Sequence, residues 1–132
     1  MRHRIYHHII WTTRDRKALI NSDTAVVLRR LLPAIATNER ARIVELGMVQ
    51  THVHTLVEVH PTTSIPQLMQ RLKGGSSVIV NRERKTTKTN PLRWAKGYDT
   101  TSVSPAAIER VRSYVRGQPT HHPEEAITYS LS

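Results

Sequence analysis

Residues 52–54 read His-Val-His, and this short run is where the chain could do chemistry. Side chains alternate along an extended strand, so His52 and His54 point to one face while Val53 points to the other. Two imidazoles roughly 6–7 Å apart on one strand face can converge on a single divalent ion. The chain has 8 histidines, and two hydrogen-bonded histidines that hold no ion are an equally simple reading of the pattern alone. A third ligand has to come from another element. Gln118 is a candidate, with Tyr114 four residues before it on the same helix surface. Because Ala107, Val111, Tyr114 and Gln118 follow helical spacing, Tyr114 could equally pack at the edge of a core. Glu58, four residues after His54, shares the histidine face as either a supporting acid or an ordinary exposed carboxylate. His60, His121 and His122 read as surface or loop residues, the last two within reach of a phosphate.

These residues need elements to position them. Residues 4–13 are β-branched and aromatic and read as a strand ended by the polar turn Arg14-Asp15-Arg16-Lys17. Asn21-Ser22-Asp23 offers a helix cap, and Leu28, Leu31, Leu32 and Ile35 give the amphipathic spacing of a helix over about 22–40. Arg42–Val49 and Val53–Val59 are two apolar runs joined by Gln50-Thr51, short enough for an antiparallel hairpin. Ser64-Ile-Pro-Gln67 carries capping-box spacing before a second helix that meets Gly74-Gly75 and runs on, bent, to about 84. A short strand is expected near 98–103, then a third helix over 105–117 begun by Ser104-Pro105 and stopped by Gly117 and Pro119. The order predicts an α+β fold: a ferredoxin-like split βαβ core with a four-stranded antiparallel sheet, plus a C-terminal helix that carries the tyrosine. One domain over 1–118 and a C-terminal tail over 119–132, extended or disordered from 120, are the expected organisation.

The chain has 132 residues with 20 Lys+Arg against 10 Asp+Glu, a formal net charge of +10. So large an excess on one small domain predicts a polyanionic partner, nucleic acid first and an acidic membrane surface second. No segment reaches the roughly 18 apolar residues of a membrane span, and the start lacks a signal-peptide core, so a soluble, cytoplasmic protein is expected. Cysteine is absent, which removes disulfides, thiolate zinc sites and cysteine nucleophiles and leaves His, carboxylate or amide groups as metal ligands. With no phenylalanine and 5% aromatics, a sheet that stacks bases on exposed rings has little material.

Five stretches then combine. His52-Val53-His54, Leu72-Lys73-Gly74-Gly75-Ser76-Ser77, Trp94 followed by Gly97-Tyr98, Ser102-Val103-Ser104, and Tyr114-Val115-Arg116-Gly117-Gln118 with His121-His122 beyond occur in this order over nearly the whole chain. Together they resemble the single-tyrosine HUH transposases of small insertion sequences, the REP-associated branch above all. The resemblance implies a metal-dependent enzyme that nicks and rejoins single-stranded DNA, at hairpin-forming element ends or repeats, through a 5′-phosphotyrosine. It implies Tyr114 as nucleophile, His52, His54 and Gln118 as metal ligands, and a homodimer in which the tyrosine helix can serve the partner's site. Val78 departs from it, standing where many relatives are expected to carry a basic residue.

The residue types suit that chemistry. Two imidazoles and an amide form a neutral set, so a divalent cation keeps its charge for a phosphate; nitrogen and oxygen donors without thiolate suit magnesium or manganese. A free tyrosine, with pKa about 10, needs activation to attack at neutral pH. Arg71, Lys73, Arg82, Arg84, Lys85, Lys88, Arg93 and Lys96 form a basic run broken by few acids, suited to phosphate contacts along a strand or to a plain solvated face. Two other readings fit the same residues: a non-catalytic DNA- or RNA-binding relative with the same basic surface, and a metal-dependent nuclease that uses water and has no need of Tyr114.

Overall fold

The computed structural model describes residues 5–83 and 90–129; the expected DNA contacts Arg84, Lys85 and Lys88 lie outside them. The elements are β1 (Ile5–Thr12), α1 (Ser22–Asn38), β2 (Ala41–Val49), β3 (His52–Val59), α2 (Ile65–Glu83), β4 (Asp99–Val103) and α3 (Ile108–Arg116). The strands form one antiparallel sheet in the order β2-β3-β1-β4, the ferredoxin-like arrangement expected from the element order.

Alternation decides which side chains meet which layer. Ile9 and Trp11 of β1 and Val53, Val57 and Val59 of β3 join Leu28, Leu32, Leu68 and Leu72 in the main core, so α1 and α2 cover that face. On the other face, Leu56 and Val103 pack with Val115 of α3, flanked by Tyr6, Val44 and Val111. Asn21 caps α1 by accepting from the Thr24 amide at 2.9 Å. Ser64 caps α2 through the Gln67 amide at 3.2 Å, while the Gln67 side chain donates to Glu39 rather than closing the box. α2 continues through Gly74-Gly75 to Glu83, and a Cβ on Gly75 would stand 3.3 Å from Ile35 Cδ1, where α1 crosses closely.

Two features bear on the site. The β2–β3 register shifts between Ile43 and Glu45. The extra residue lets Ile43 and Leu46 both face the main core while Glu45 and Gly47 face α3. The second is a correction: the stretch through Glu125 is helical rather than extended or disordered as expected. Gln118–His121 form a helical turn, α4, and Pro123–Glu125 a 3-10 turn. Gln50 holds this return by donating from its amide to the Glu125 carbonyl at 2.8 Å and from its side chain to the Ala126 carbonyl at 2.9 Å. Proline at 119 does not end the structure because it occupies the first turn of α4, where no intrahelical N–H is needed. No helix among the described residues is long and apolar enough to cross a membrane.

Candidate active site

β3 presents His52, His54 and Leu56 to α3, opposite the main core, and both imidazoles are buried, at 4% and 5% exposure. Their ring centroids are 5.0 Å apart. β1 runs beside them, with Ile10 opposite His54 and His8 opposite Leu56. His8 is thus a diagonal neighbour of His54, and His8 Nε2 lies 3.0 Å from His54 Nδ1.

From the other side come Tyr114 and Gln118. α3 ends at Arg116, Gly117 forms its cap, and Gln118 opens α4, so the chain breaks one helix and at once starts another without turning away. Gln118 is fully buried. Its amide nitrogen donates to the Tyr114 carbonyl at 3.2 Å, which aims Oε1 at His52 Nε2, 3.4 Å away. That separation is long for an N–H···O bond. A buried carbonyl oxygen beside two imidazoles is a donor set that a divalent cation fits. Tyr114 is 42% exposed, with its ring centroid 5.8 Å from that of His54, so the phenol is open to a substrate lying over the histidines of its own chain.

Burial keeps the cluster neutral. Desolvation pushes His54 down to about 3, helped by the neighbouring His52 and His8. It also lowers His52 against opposing pulls from Gln118 and Glu125, and lowers His8. Neutral imidazole is the form that binds metal. A stability effect follows. The unfolded chain takes up protons at these histidines near pH 6.5, the folded chain only at lower pH. Stability is therefore complete above about 6.5 and declines as pH falls toward about 3. For His54 alone the slope approaches about 1.4 kcal/mol per pH unit. Urea unfolding of metal-free protein across this range should show the decline, and His54→Gln should flatten it; equal slopes for both chains would contradict the assignment.

Several residues the sequence left aside belong here. His8 is one. The His122 ring packs edge-on against His52 with centroids 5.1 Å apart, and the His121 ring lies 4.9 Å from that of Tyr114, so both are nearer the cluster than a surface reading implies. His122, Glu124 and Glu125 bring one potential ligand atom each within 4.8 Å of one another, a possible His/Glu metal group beside His52. Thr51 links the two parts, donating to Glu125 Oε1 at 2.6 Å and lying 3.0 Å from His52 Nδ1. Glu58 supports none of this: it accepts from Tyr6 and pairs with Arg42 at the far end of β3.

Among the described residues, the expected DNA-binding cations do not gather round the histidines. Arg71, Lys73 and Arg82 sit on α2, a layer away across the sheet. Arg71 and Arg82 are exposed. Lys73 spends its ammonium on the carbonyls of Ala95 and Gly97, at 2.6 and 2.8 Å, and burial lowers its pKa. Arg93 and Lys96 are exposed on the segment that joins β1 through the Thr13–Trp94 bridge, and Arg93 shares a hollow with Arg14 and Lys17. The glycine-serine and tryptophan stretches of the sequence meet here as scaffold: Trp94 Nε1 donates to Ser76 Oγ at 3.1 Å. On the site face, Arg112 and Arg116 pair with Glu45, at 3.0 and 3.5 Å, and dock α3 on β2.

Known proteins resemble this chain in sequence and in fold. The chain is 23% identical over 119 residues to the ISDra2 transposase TnpA of Deinococcus radiodurans, covering 88% of this chain and 85% of that protein. It is 26% identical over 117 residues to the transposase for insertion sequence element IS200 of Salmonella typhimurium, covering 85% and 75%. Two solved structures share the fold. A candidate transposase from Deinococcus radiodurans superposes with a TM-score of 0.70 at 22% identity, over 97% of this chain and 95% of that one. A REP-associated tyrosine transposase bound to a REP hairpin gives 0.71 at 11% identity, over 90% and 68%. The family model for IS200-like transposases matches residues 1–118, and the chain belongs to that family.

Proposed function

We propose that this chain nicks and rejoins single-stranded DNA through a 5′-phosphotyrosine on Tyr114, with a divalent metal, magnesium or manganese, held by His52, His54 and Gln118. The observation that carries the reading is the convergence of these four side chains, from β3 and from the α3–α4 junction, on one patch of the sheet. Membership of a transposase family supports it.

A bound cation would polarise the scissile phosphate and offset the charge that builds on it. The rest falls to the protein. Gln118 and the neutral imidazoles add no charge that would repel a phosphate, and the half-exposed phenol of Tyr114 lies above them. Its oxygen gives up its proton and bonds to phosphorus as the bond to the 3′-oxygen breaks; the leaving oxygen takes up a proton, so one strand ends in a 3′-hydroxyl and the 5′-phosphate stays on the tyrosine. A 3′-hydroxyl attacking that phosphorus reverses the step and frees Tyr114, so joining needs no ATP.

The DNA proposed is a strand with hairpin-forming ends or repeats, in the cytoplasm; one neighbour in fold is bound to a REP hairpin. Arg71, Arg82, Arg93 and Lys96, with the cations at 84, 85 and 88, would meet its phosphates away from the histidines, while Lys73 keeps its place as a clamp on the Ala95 and Gly97 carbonyls. A homodimer is part of the same proposal, with β2 and β4 as the sheet edges open to a second chain. To test the reading, oligonucleotides copied from both flanks of the gene are incubated with magnesium or manganese and resolved on denaturing gels, with mass spectrometry of the protein. A metal-dependent DNA adduct on Tyr114, lost in His52→Ala, is expected. Cleavage that persists in His52→Ala would sink the metal assignment.

A further inference from the structure

We infer that Thr51 and Glu125 are positioning residues: together they hold His52 in the tautomer with hydrogen on Nδ1, leaving the Nε2 lone pair directed at Gln118. The inference rests on the proposed function in one respect, that Nε2 is the atom offered to a metal.

A threonine hydroxyl has one hydrogen to give and two lone pairs. Thr51 Oγ1 faces two groups at once, the Glu125 carboxylate at 2.6 Å and His52 Nδ1 at 3.0 Å. An ionised carboxylate only accepts, and 2.6 Å is the length of a charge-assisted O–H···O bond. The single hydrogen is therefore committed to Glu125. Toward His52 the oxygen can then only accept, which requires Nδ1–H. The opposite tautomer would set two lone pairs against each other at 3.0 Å in exchange for one long Nε2–H···O contact to Gln118 at 3.4 Å, whereas the inferred tautomer makes the shorter bond and leaves Nε2 and Oε1 facing each other across the wider gap, where a cation would sit. A carboxylate that fixes a ligand histidine through its second nitrogen is a familiar support of metal sites; here a hydroxyl stands between them.

The fold holds each member in place. Thr51 is the second residue of the β2–β3 turn, and its carbonyl accepts from the Thr13 amide at 2.8 Å and from the Thr13 hydroxyl at 3.1 Å. Glu125 is brought by the returning chain that Gln50 clamps on both sides. His122 Nδ1 faces the other carboxylate oxygen, Oε2, at 3.9 Å, beyond hydrogen-bond distance, and Thr51 holds Oε1. The segment after the tyrosine helix thus contributes an acid to a histidine 73 positions earlier in the chain.

The test uses the full chain, metal-free, above the pH range where histidine titrates, with ring nitrogens read by long-range proton–nitrogen NMR. Wild type should show His52 as the Nδ1–H tautomer. Thr51→Val, and Glu125→Ala, which frees the hydroxyl hydrogen to point at Nδ1, should both shift His52 toward Nε2–H. Thr51→Ser should restore the wild-type signature. Manganese affinity, measured by titration with thermal melting as a folding control, should fall about 10–100-fold in Thr51→Val and recover in Thr51→Ser. A His52 that carries its hydrogen on Nε2 in wild type, or a tautomer unmoved by Thr51→Val, overturns the inference. Failure of the wild type itself to bind manganese overturns the metal reading instead, and the tautomer result still decides this one.

Discussion

Tyr114→Phe is expected to abolish the covalent DNA adduct and reduce cleavage by at least about 10³-fold, while DNA and metal binding stay within about twofold of wild type. The loss is large because, in the proposed mechanism, this hydroxyl is the bond-forming group. Binding should survive because the ring keeps its packing: its neighbours are the rings of His8, His54 and His121, at centroid distances of 6.0, 5.8 and 4.9 Å. None of these contacts needs the phenol oxygen. The Tyr114 group used by Gln118 is the main-chain carbonyl, which phenylalanine retains. The same variant separates the three readings open to the sequence. Cleavage undiminished in Tyr114→Phe would point to a water-using nuclease. A wild type that binds strands yet gives neither adduct nor cleavage, even with metal, would leave only a binding function.

Signals carried by local residue pattern survived into the structure. The His-Val-His alternation, the Asn21 cap and the apolar stripes of α1 and α2 each depend on neighbours a few residues away, and the element order then leads to the sheet order. What escaped was non-local. His8 stands in β1 with the same alternation as any strand residue; only the β1–β3 register, a pairing 46 residues apart in sequence, brings it to His54. Glu125 lies in a polar stretch after a proline, where composition argues for loose chain. Its role depends on Gln50 clamping that stretch back onto the sheet. The basic run shows another limit: charge along a sequence says nothing about which face of a sheet it covers, and α2 lies on the face opposite the histidines. Lys73 shows a further limit, since an ammonium read as a phosphate contact is held by two backbone carbonyls of a neighbouring loop.

Gly47→Ala should cost the enzyme about 10²-fold or more in adduct formation, for a reason invisible without the fold. Gly47 pairs with His54 across the β2–β3 ladder, and the α3 backbone comes down onto the space where its side chain would be. A Cβ there would stand 1.7 Å from the Val115 carbonyl oxygen and 3.3 Å from Gln118 Cγ. Backbone cannot rotate out of the way as a flexible side chain can, so α3 must lift or β2 must sink, and either moves Tyr114 and Gln118 relative to the histidines. Displacement of about 1 Å in a reacting group is enough for a 10²-fold loss, and overpacking of this kind costs about 1–3 kcal/mol of stability. Gly74→Ala is the matched control. A Cβ at that α2 position meets nothing within 4 Å, so the change should leave adduct formation unaltered and stabilise the helix by up to about 1 kcal/mol. Thermal melts and adduct yields for the two variants check both arms. Wild-type adduct yield from Gly47→Ala would mean that the docking of α3 on β2 does not set the geometry of the tyrosine, and that the helix works from some other seat.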